Sequence, residues 1–161
     1  MPEPLSEQII GMIDQAAELY HRLVLVVALP GSGKTAALQE VAERTGFRYI
    51  NINLELSRRL LDLTERQRTA HVQRLLDEIV GRGSDRVVLL DNLELLFDVA
   101  LKLDPLRCLR ALARRRTVDA AWNGTIGNGH LLYAQPTHRD YRSYPAGDLL
   151  IVTPQPAGDG Q

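Results

Sequence analysis

RLVLVVALPGSGKT, residues 22–35, decides how the rest of the chain is read. Its apolar run from Leu23 to Ala28 has the length of a strand and ends in a proline and glycine turn, after which Lys34 and Thr35 open a helix-forming segment. Strand, glycine loop and helix in that order make a phosphate-binding loop. Glycines at 31 and 33 let successive backbone N–H groups converge on phosphate oxygens, Lys34 brings a positive charge toward the outer ones, and the Thr35 hydroxyl is placed to ligate Mg²⁺. The pattern G-x-x-x-x-G-K-[ST] is complete only in its second half, because Ala28 stands where the first glycine belongs. The nucleotide-binding residues expected from this loop are Leu29, Pro30, Gly31, Ser32, Gly33, Lys34, Thr35 and Ala36.

Composition narrows the setting. A chain of 161 residues suits one domain with a sizeable core. An apolar fraction of 45% and a formal net charge of -1 give no electrostatic case for a dedicated nucleic-acid surface, so any DNA contact is expected to be indirect. Cys108 is the only cysteine, which excludes an internal disulfide and a cysteine metal cluster. No stretch approaches the length of a membrane span, and MPEPLSEQ lacks the basic-then-apolar order of a signal peptide, so the expected compartment is the cytoplasm.

Read in order, residues 7–21 carry Ile9, Ile10, Ile13, Ala17 and Tyr20 at helical spacing, with Ser6 as the expected N-cap. A second helix follows the loop and closes at Thr45-Gly46. FRYININL, 47–54, reads as the second strand, and 57–80 as one charged helix stopped by Gly81 and Gly83. RVVLLD, 86–91, is a short apolar strand ending in an acid. Residues 93–103 are expected to be helical, and Asp104-Pro105 then caps and starts a helix through Cys108 to the Arg114–Arg116 triplet, whose cations suit a helix C-terminus. A fourth strand is expected over 117–122, turns at Asn123-Gly124 and at 127–129, and a returning strand over 130–135. Residues 136–148 read as a structured loop and 149–152 as the fifth strand. The expected division is an N-terminal helix in 1–21, a nucleotide-binding core in 22–153 and a flexible tail in 154–161.

Alternating strands and helices imply a parallel sheet covered on both faces, with ligands at the carboxyl ends of the strands. Asp91, at the end of such a strand, is the partner that Thr35 needs to hold Mg²⁺, so the two make the expected metal site. Because Asp91 follows the third predicted strand, the chain resembles the division of P-loop NTPases that contains the AAA+ and RecA-like ATPases. That resemblance implies an α/β, three-layer fold with a mostly parallel five-stranded sheet in the order 5-1-4-3-2 and a polar γ-phosphate sensor, whose place Asn123 takes. A β-hairpin is expected after strand 4, and no C-terminal lid is expected, since the chain stops soon after the fifth strand.

Hydrolysis also needs a carboxylate to polarise water. The usual position directly after the aspartate holds Asn92, which can orient a water but cannot take its proton; Glu94 is the nearest acid, and Glu55 is the other candidate. Slow or partner-dependent turnover, or nucleotide binding without turnover, follows from that substitution. A transition-state arginine from a neighbouring copy is expected at Arg142 or Arg139, with Arg114–Arg116 as runners-up. His138-Arg139-Asp140-Tyr141 superficially matches a protein-kinase catalytic loop but lacks its following asparagine, and His130 and His138 have no second ligand at metal spacing.

NINLELSRRLLDLTERQR, VVLLDNLELLFD, LKLDPLRCLRALARRRTV, and WNG followed by LLYAQPTHRDYRSY together resemble the BrxF family, the small P-loop NTPases of type 3 bacteriophage-exclusion (BREX) systems. The resemblance runs from about Leu23 to Val152. It implies an ATP-binding ATPase subunit of an antiviral defence complex, acting with a larger ATPase, a DNA methyltransferase and an alkaline-phosphatase-like protein; the family's loop falls on Leu29–Thr35 and its acidic strand end on Asp91. ATP, Mg²⁺ and self-association or larger BREX subunits are thus the expected ligands and partners. The alternatives are a non-hydrolysing, nucleotide-gated interaction module and a small-molecule kinase, the second disfavoured by the position of Asp91.

Overall fold

The computed structural model describes residues 4–83, 85–134 and 139–154 of the chain. The apolar run after Arg22 is β1, Leu23–Ala28, in the interior of the sheet. On one side it pairs in parallel with β4, Thr117–Gly127, from Leu23–Val118 to Ala28–Asn123, and on the other with β7, Leu150–Val152. Beyond β4 lie β3, Val87–Asp91, and then β2, Arg48–Asn51. The order β2-β3-β4-β1-β7 is the expected 5-1-4-3-2 arrangement read from the opposite edge, with β7 as the fifth parallel strand. Strands covered on both faces need apolar side chains on both, which is why LVLVV and VVLL are unbroken runs rather than alternating ones.

Helices α1, Leu5–Ala16, and α2, Lys34–Thr45, cover one face, where Ile9, Ile13, Leu38 and Val41 meet Val24, Val26, Leu89 and Ala121. On the other face, α3, Ile52–Leu60, α4, Glu65–Gly81, and α5, Pro105–Leu112, press Leu56, Leu76 and Leu109 onto Leu25, Leu90, Val118 and Trp122. Arg48 ties the edge strand to this layer by donating to the carbonyls of Ile79 (2.8 Å), Val80 (3.3 Å) and Arg82 (2.9 Å) at the end of α4. It thereby satisfies carbonyls that a helix end leaves without partners.

Several sequence expectations are corrected. Pro4, not Ser6, is the N-cap of α1, and Ser6 lies inside the helix, donating to Glu40 of α2 at 2.8 Å. The helix ends at Ala16, short of the expected 21. The second strand stops at Asn51, whose side chain accepts from the Leu54 N–H (3.0 Å) and starts α3 directly. The single helix expected over 57–80 is broken, because Thr64 and Gln67 form a reciprocal capping box that begins α4 anew. Residues 93–103 form two short 3-10 turns, Glu94–Phe97 and Val99–Leu101. Asp104 and Pro105 cap and start α5 as expected, but it ends at Leu112, before the arginine triplet.

The largest difference is at Asn123-Gly124. Expected as a turn, the pair lies inside β4, which runs on to Gly127 and changes partners on the way. The parallel ladder with β1 ends at Asn123, and an antiparallel ladder with β5, His130–Tyr133, begins at Gly124. Gly124 is there for proximity, since a Cβ on it would lie 1.9 Å from the Leu132 carbonyl oxygen. The reversal itself is Asn128-Gly129, both with positive φ, the signature of a two-residue type I′ hairpin. β6, Arg142–Pro145, then pairs with β5 inside the stretch expected to be a loop. Gln135 and His138, and the expected tail from residue 155, lie outside the described residues. Among the described residues, no helix is long and apolar enough to cross a membrane.

One core residue is anomalous. Asp119 is fully buried on β4 between Val24 and Leu89, and neither of its carboxylate oxygens has a hydrogen-bond partner among the described residues. Burial pushes its pKa well above the usual carboxylate range, so the folded protein holds a proton that the unfolded chain releases. Its contribution to stability is therefore full at acid pH and is lost as pH rises from the ordinary carboxylate pKa toward the folded one. Asp119→Asn is expected to raise the denaturant midpoint at pH 8 while leaving it nearly unchanged at about pH 3, below the ordinary carboxylate pKa, with equilibrium unfolding at the two pH values as the measurement.

Candidate functional site

After Ala28 the chain leaves β1, turns through 29–33 and enters α2 at Lys34. Gly31 and Gly33 have φ of 82° and 94°, a left-handed backbone that favours glycine, and Gly33 occupies the N-cap position of α2. Unpaired N–H groups in the first turn and the helix dipole together favour an anion at this place. Ala28 is strand backbone without positive φ, so its position makes no demand for the glycine of the motif. The Ser32 hydroxyl donates to the Leu29 carbonyl at 2.6 Å and pins the loop. Lys34 is buried, with its ammonium donating to the carbonyls of Ala28 (2.8 Å) and Leu29 (2.9 Å). Burial lowers its pKa, while the charges of Asp91 and Glu94 push it back up.

β3 delivers Asp91 beside the first turn of α2. Its Oδ2 accepts from the Thr35 hydroxyl (2.7 Å) and the Tyr49 phenol (2.6 Å), and its Oδ1 from the Asn92 N–H (2.9 Å). Because Thr35 gives its proton to Asp91, the lone pairs of its oxygen remain for a cation. Hydroxyl and carboxylate oxygens are the hard donors that Mg²⁺ takes, so this pair fits the expected metal.

Asn92 has φ of 55°, uncommon for a residue other than glycine, and its carbonyl accepts from the Asn53 N–H at 2.9 Å. That left-handed step turns the chain into the 3-10 turn that carries Glu94. The Glu94 carboxylate is gripped from two elements: Oε1 accepts from the Asn53 amide (2.9 Å) and Oε2 from the Asn123 amide. Asn53 is itself fixed, because its Oδ1 accepts from the Leu95 N–H at 2.8 Å. Glu55, the other candidate acid, lies on α3 and pairs at 3.7 Å with Arg58.

These groups surround a cleft of about 260 Å³ at the carboxyl ends of the strands, lined by Pro30, Gly31, Gly33, Lys34, Thr35, Ala36, Asp91, Asn92 and Asn123. Leu29 and Ser32 form the exposed outer side of the loop, and Glu94 meets the cleft through Asn123. Arg142 does not line it: its guanidinium donates to the carbonyls of Asp140 (3.1 Å) and Tyr141 (3.2 Å) on the antiparallel extension. Arg139 is exposed in the turn before it. Burial raises the phenol pKa of Tyr133, Glu94 and Asp140 add to the rise, and Arg142 opposes it. The Tyr133 ring stacks on Phe97 at 3.6 Å, within the turn that bears Glu94. A larger depression, about 490 Å³, lies between the start of α4 and residues 100–102, but no buried polar side chain lines it.

Sequence reasoning missed Tyr49 and Asn53. Both belong to FRYININL, but Tyr49 lies within β2 and Asn53 in the first turn of α3, and no local signal ties either to Asp91 or Glu94.

Residues 24–104, half of the chain, match the family described as ATPases associated with various cellular activities (AAA). No curated protein matches. Among solved structures 53 chains match, and PCH-2 of C. elegans is similar with a TM-score of 0.43 and 16% identity, over 77% of this chain and 38% of that one. The chain thus spans well under half the length of that structure.

Proposed function

The chain belongs to the AAA family of ATPases, and from that premise we propose that it binds ATP with Mg²⁺ in the 29–36 loop and hydrolyses it with Glu94 as the water-polarising carboxylate. The observation that carries this reading is the convergence of Thr35, Asp91, Asn123 and Glu94 at one cleft from four separate elements. Loop N–H groups and the first turn of α2 hold the phosphates, and Lys34 moves its ammonium from the carbonyls of Ala28 and Leu29 toward them. Thr35 and Asp91 would hold Mg²⁺, which when bound would neutralise negative charge on the phosphates. Asn123 orients Glu94 and faces the γ-phosphate. As the water oxygen bonds to the γ-phosphorus, its proton passes to Glu94 and the bond to the ADP oxygen breaks.

Among the described residues no arginine lines the cleft, whereas phosphoryl transfer gains greatly from one. Arg142 or Arg139 of a neighbouring copy supplies that charge, so turnover depends on assembly. The resemblance of the four quoted stretches to the BrxF family supports a place in a bacterial antiphage BREX complex in the cytoplasm, with DNA contacted through its partners. Mass measurement with and without ATP and Mg²⁺, alongside phosphate release, tests the assembly: a larger species with nucleotide and a specific rate that rises with protein concentration are expected. A monomer turning over at its full rate at high dilution overturns it. Loss of phage protection on Lys34→Ala tests the defence role.

A second reading is favoured by Asn92 directly after Asp91 and by the double grip on Glu94. In it the protein binds ATP without turnover and acts as a nucleotide-gated interaction module. Binding with no phosphate release, even with partners present, selects this reading.

A further inference from the structure

Asp91 is buried, and two hydroxyls rather than one donate to the same oxygen, Oδ2. Thr35 is accounted for by the nucleotide site. Tyr49 is not. It stands on β2 in register with Leu89, two residues before Asp91 on β3 and on the same face, because side chains alternate along a strand. The length of a tyrosine leaning along the strand spans that offset and brings its phenol to 2.6 Å from the carboxylate. A phenylalanine would fill the same apolar site between Leu89 and α2, so packing leaves the hydroxyl unexplained. Burial and the Asp91 carboxylate raise the phenol's pKa, and Gln39, one turn after Thr35 on α2, acts in the opposite direction. Thr35, Asp91 and Tyr49 therefore link α2 to two strands through one carboxylate oxygen.

We propose that Tyr49 is a positioning residue for Mg²⁺, holding the Asp91 carboxylate in the orientation in which the Thr35 oxygen faces the cation; the inference rests on the nucleotide site proposed above. With Oδ1 held by the Asn92 N–H and Oδ2 by two hydroxyls, the carboxylate cannot turn about its own axis. It would meet the cation through the one remaining lone pair, on Oδ1. Loss of the phenol loosens that hold and leaves Thr35 as the only side-chain donor on Oδ2. Groups that orient a metal-binding carboxylate from behind typically change metal affinity by about 10- to 100-fold.

The test is binding of a fluorescent ATP analogue to the whole protein, titrated with Mg²⁺ and repeated in EDTA. Tyr49→Phe is expected to raise the half-saturating Mg²⁺ concentration about ten-fold while leaving affinity in EDTA unchanged. A purely structural tyrosine would lower the denaturation midpoint and leave the Mg²⁺ dependence alone, so an unchanged half-saturation overturns the proposal. If Tyr49→Phe does not fold, Tyr49→Met, an apolar and adaptable side chain without the hydroxyl, takes its place with a shift in the same direction expected and its absence equally decisive. Asp91→Asn separates the two levels. If the Mg²⁺ dependence survives that change, the nucleotide-site reading itself fails; if it is lost while Tyr49→Phe behaves as wild type, only the role of Tyr49 fails.

Discussion

Lys34→Ala removes nucleotide binding and phosphate release together, with a loss of about 10²-fold or more in kcat/KM. The side chain is 5% exposed and its ammonium rests on two loop carbonyls, so it lies at the base of the cradle before any phosphate arrives. Truncation leaves those carbonyls without their donor and the anion without its nearest formal positive charge, since the cleft holds no other lysine or arginine among its lining residues. Binding of a fluorescent ATP analogue and steady-state phosphate release are the two measurements. Release that persists in Lys34→Ala would place the chemistry somewhere other than this loop.

Glu94→Gln is the complementary case, separating binding from chemistry. A positioned general base contributes about 10²- to 10⁴-fold, so kcat is expected to fall by that factor while nucleotide affinity changes little. Glutamine fits the grip on residue 94 with one adjustment. Asn53 cannot rotate its amide, because its Oδ1 accepts from the Leu95 N–H, so the glutamine oxygen must face Asn53. Asn123 can rotate its amide and accept from the glutamine nitrogen. The geometry survives and the proton acceptor does not. Single-turnover phosphate release with pre-bound nucleotide reads the difference, and an unchanged rate would move the water-activating role off Glu94.

Much of this was legible before the structure. The loop at 29–35 and the strand ending in Asp91 follow from apolar run lengths and their terminal residues, signals carried by a few adjacent positions, whereas the order of the parallel strands is what the resemblance to the AAA+ and RecA-like division implies. The errors have one physical origin: the same residue types serve more than one purpose. Asn123-Gly124 looks like a turn because asparagine and glycine tolerate positive φ, yet here the asparagine reaches Glu94 and the glycine admits a neighbouring carbonyl. Asn51 looks like a strand residue and is a helix cap. The capping box at Thr64-Gln67 was written in the sequence but was masked by apolar spacing that continues on both sides of it. Tyr49 and Asn53 were not legible, because each acts on a residue about forty positions away and only the β2–β3 register makes them neighbours.

β4 carries the most varied demands in the chain. Within six residues it places Asp119 in one core, Trp122 in the other, Asn123 at the cleft and Gly124 against Leu132. Side chains alternate with period two, so gaining or losing a single codon inside this stretch would exchange the two faces for every residue beyond it. Asn123 would turn away from Glu94 and a bulkier residue would meet the Leu132 carbonyl in the same event. Point changes outside Asn123 and Gly124 can be absorbed here one position at a time, but changes of length cannot, and a variant library spanning 119–124 should therefore contain functional substitutions and no functional single-residue insertions or deletions.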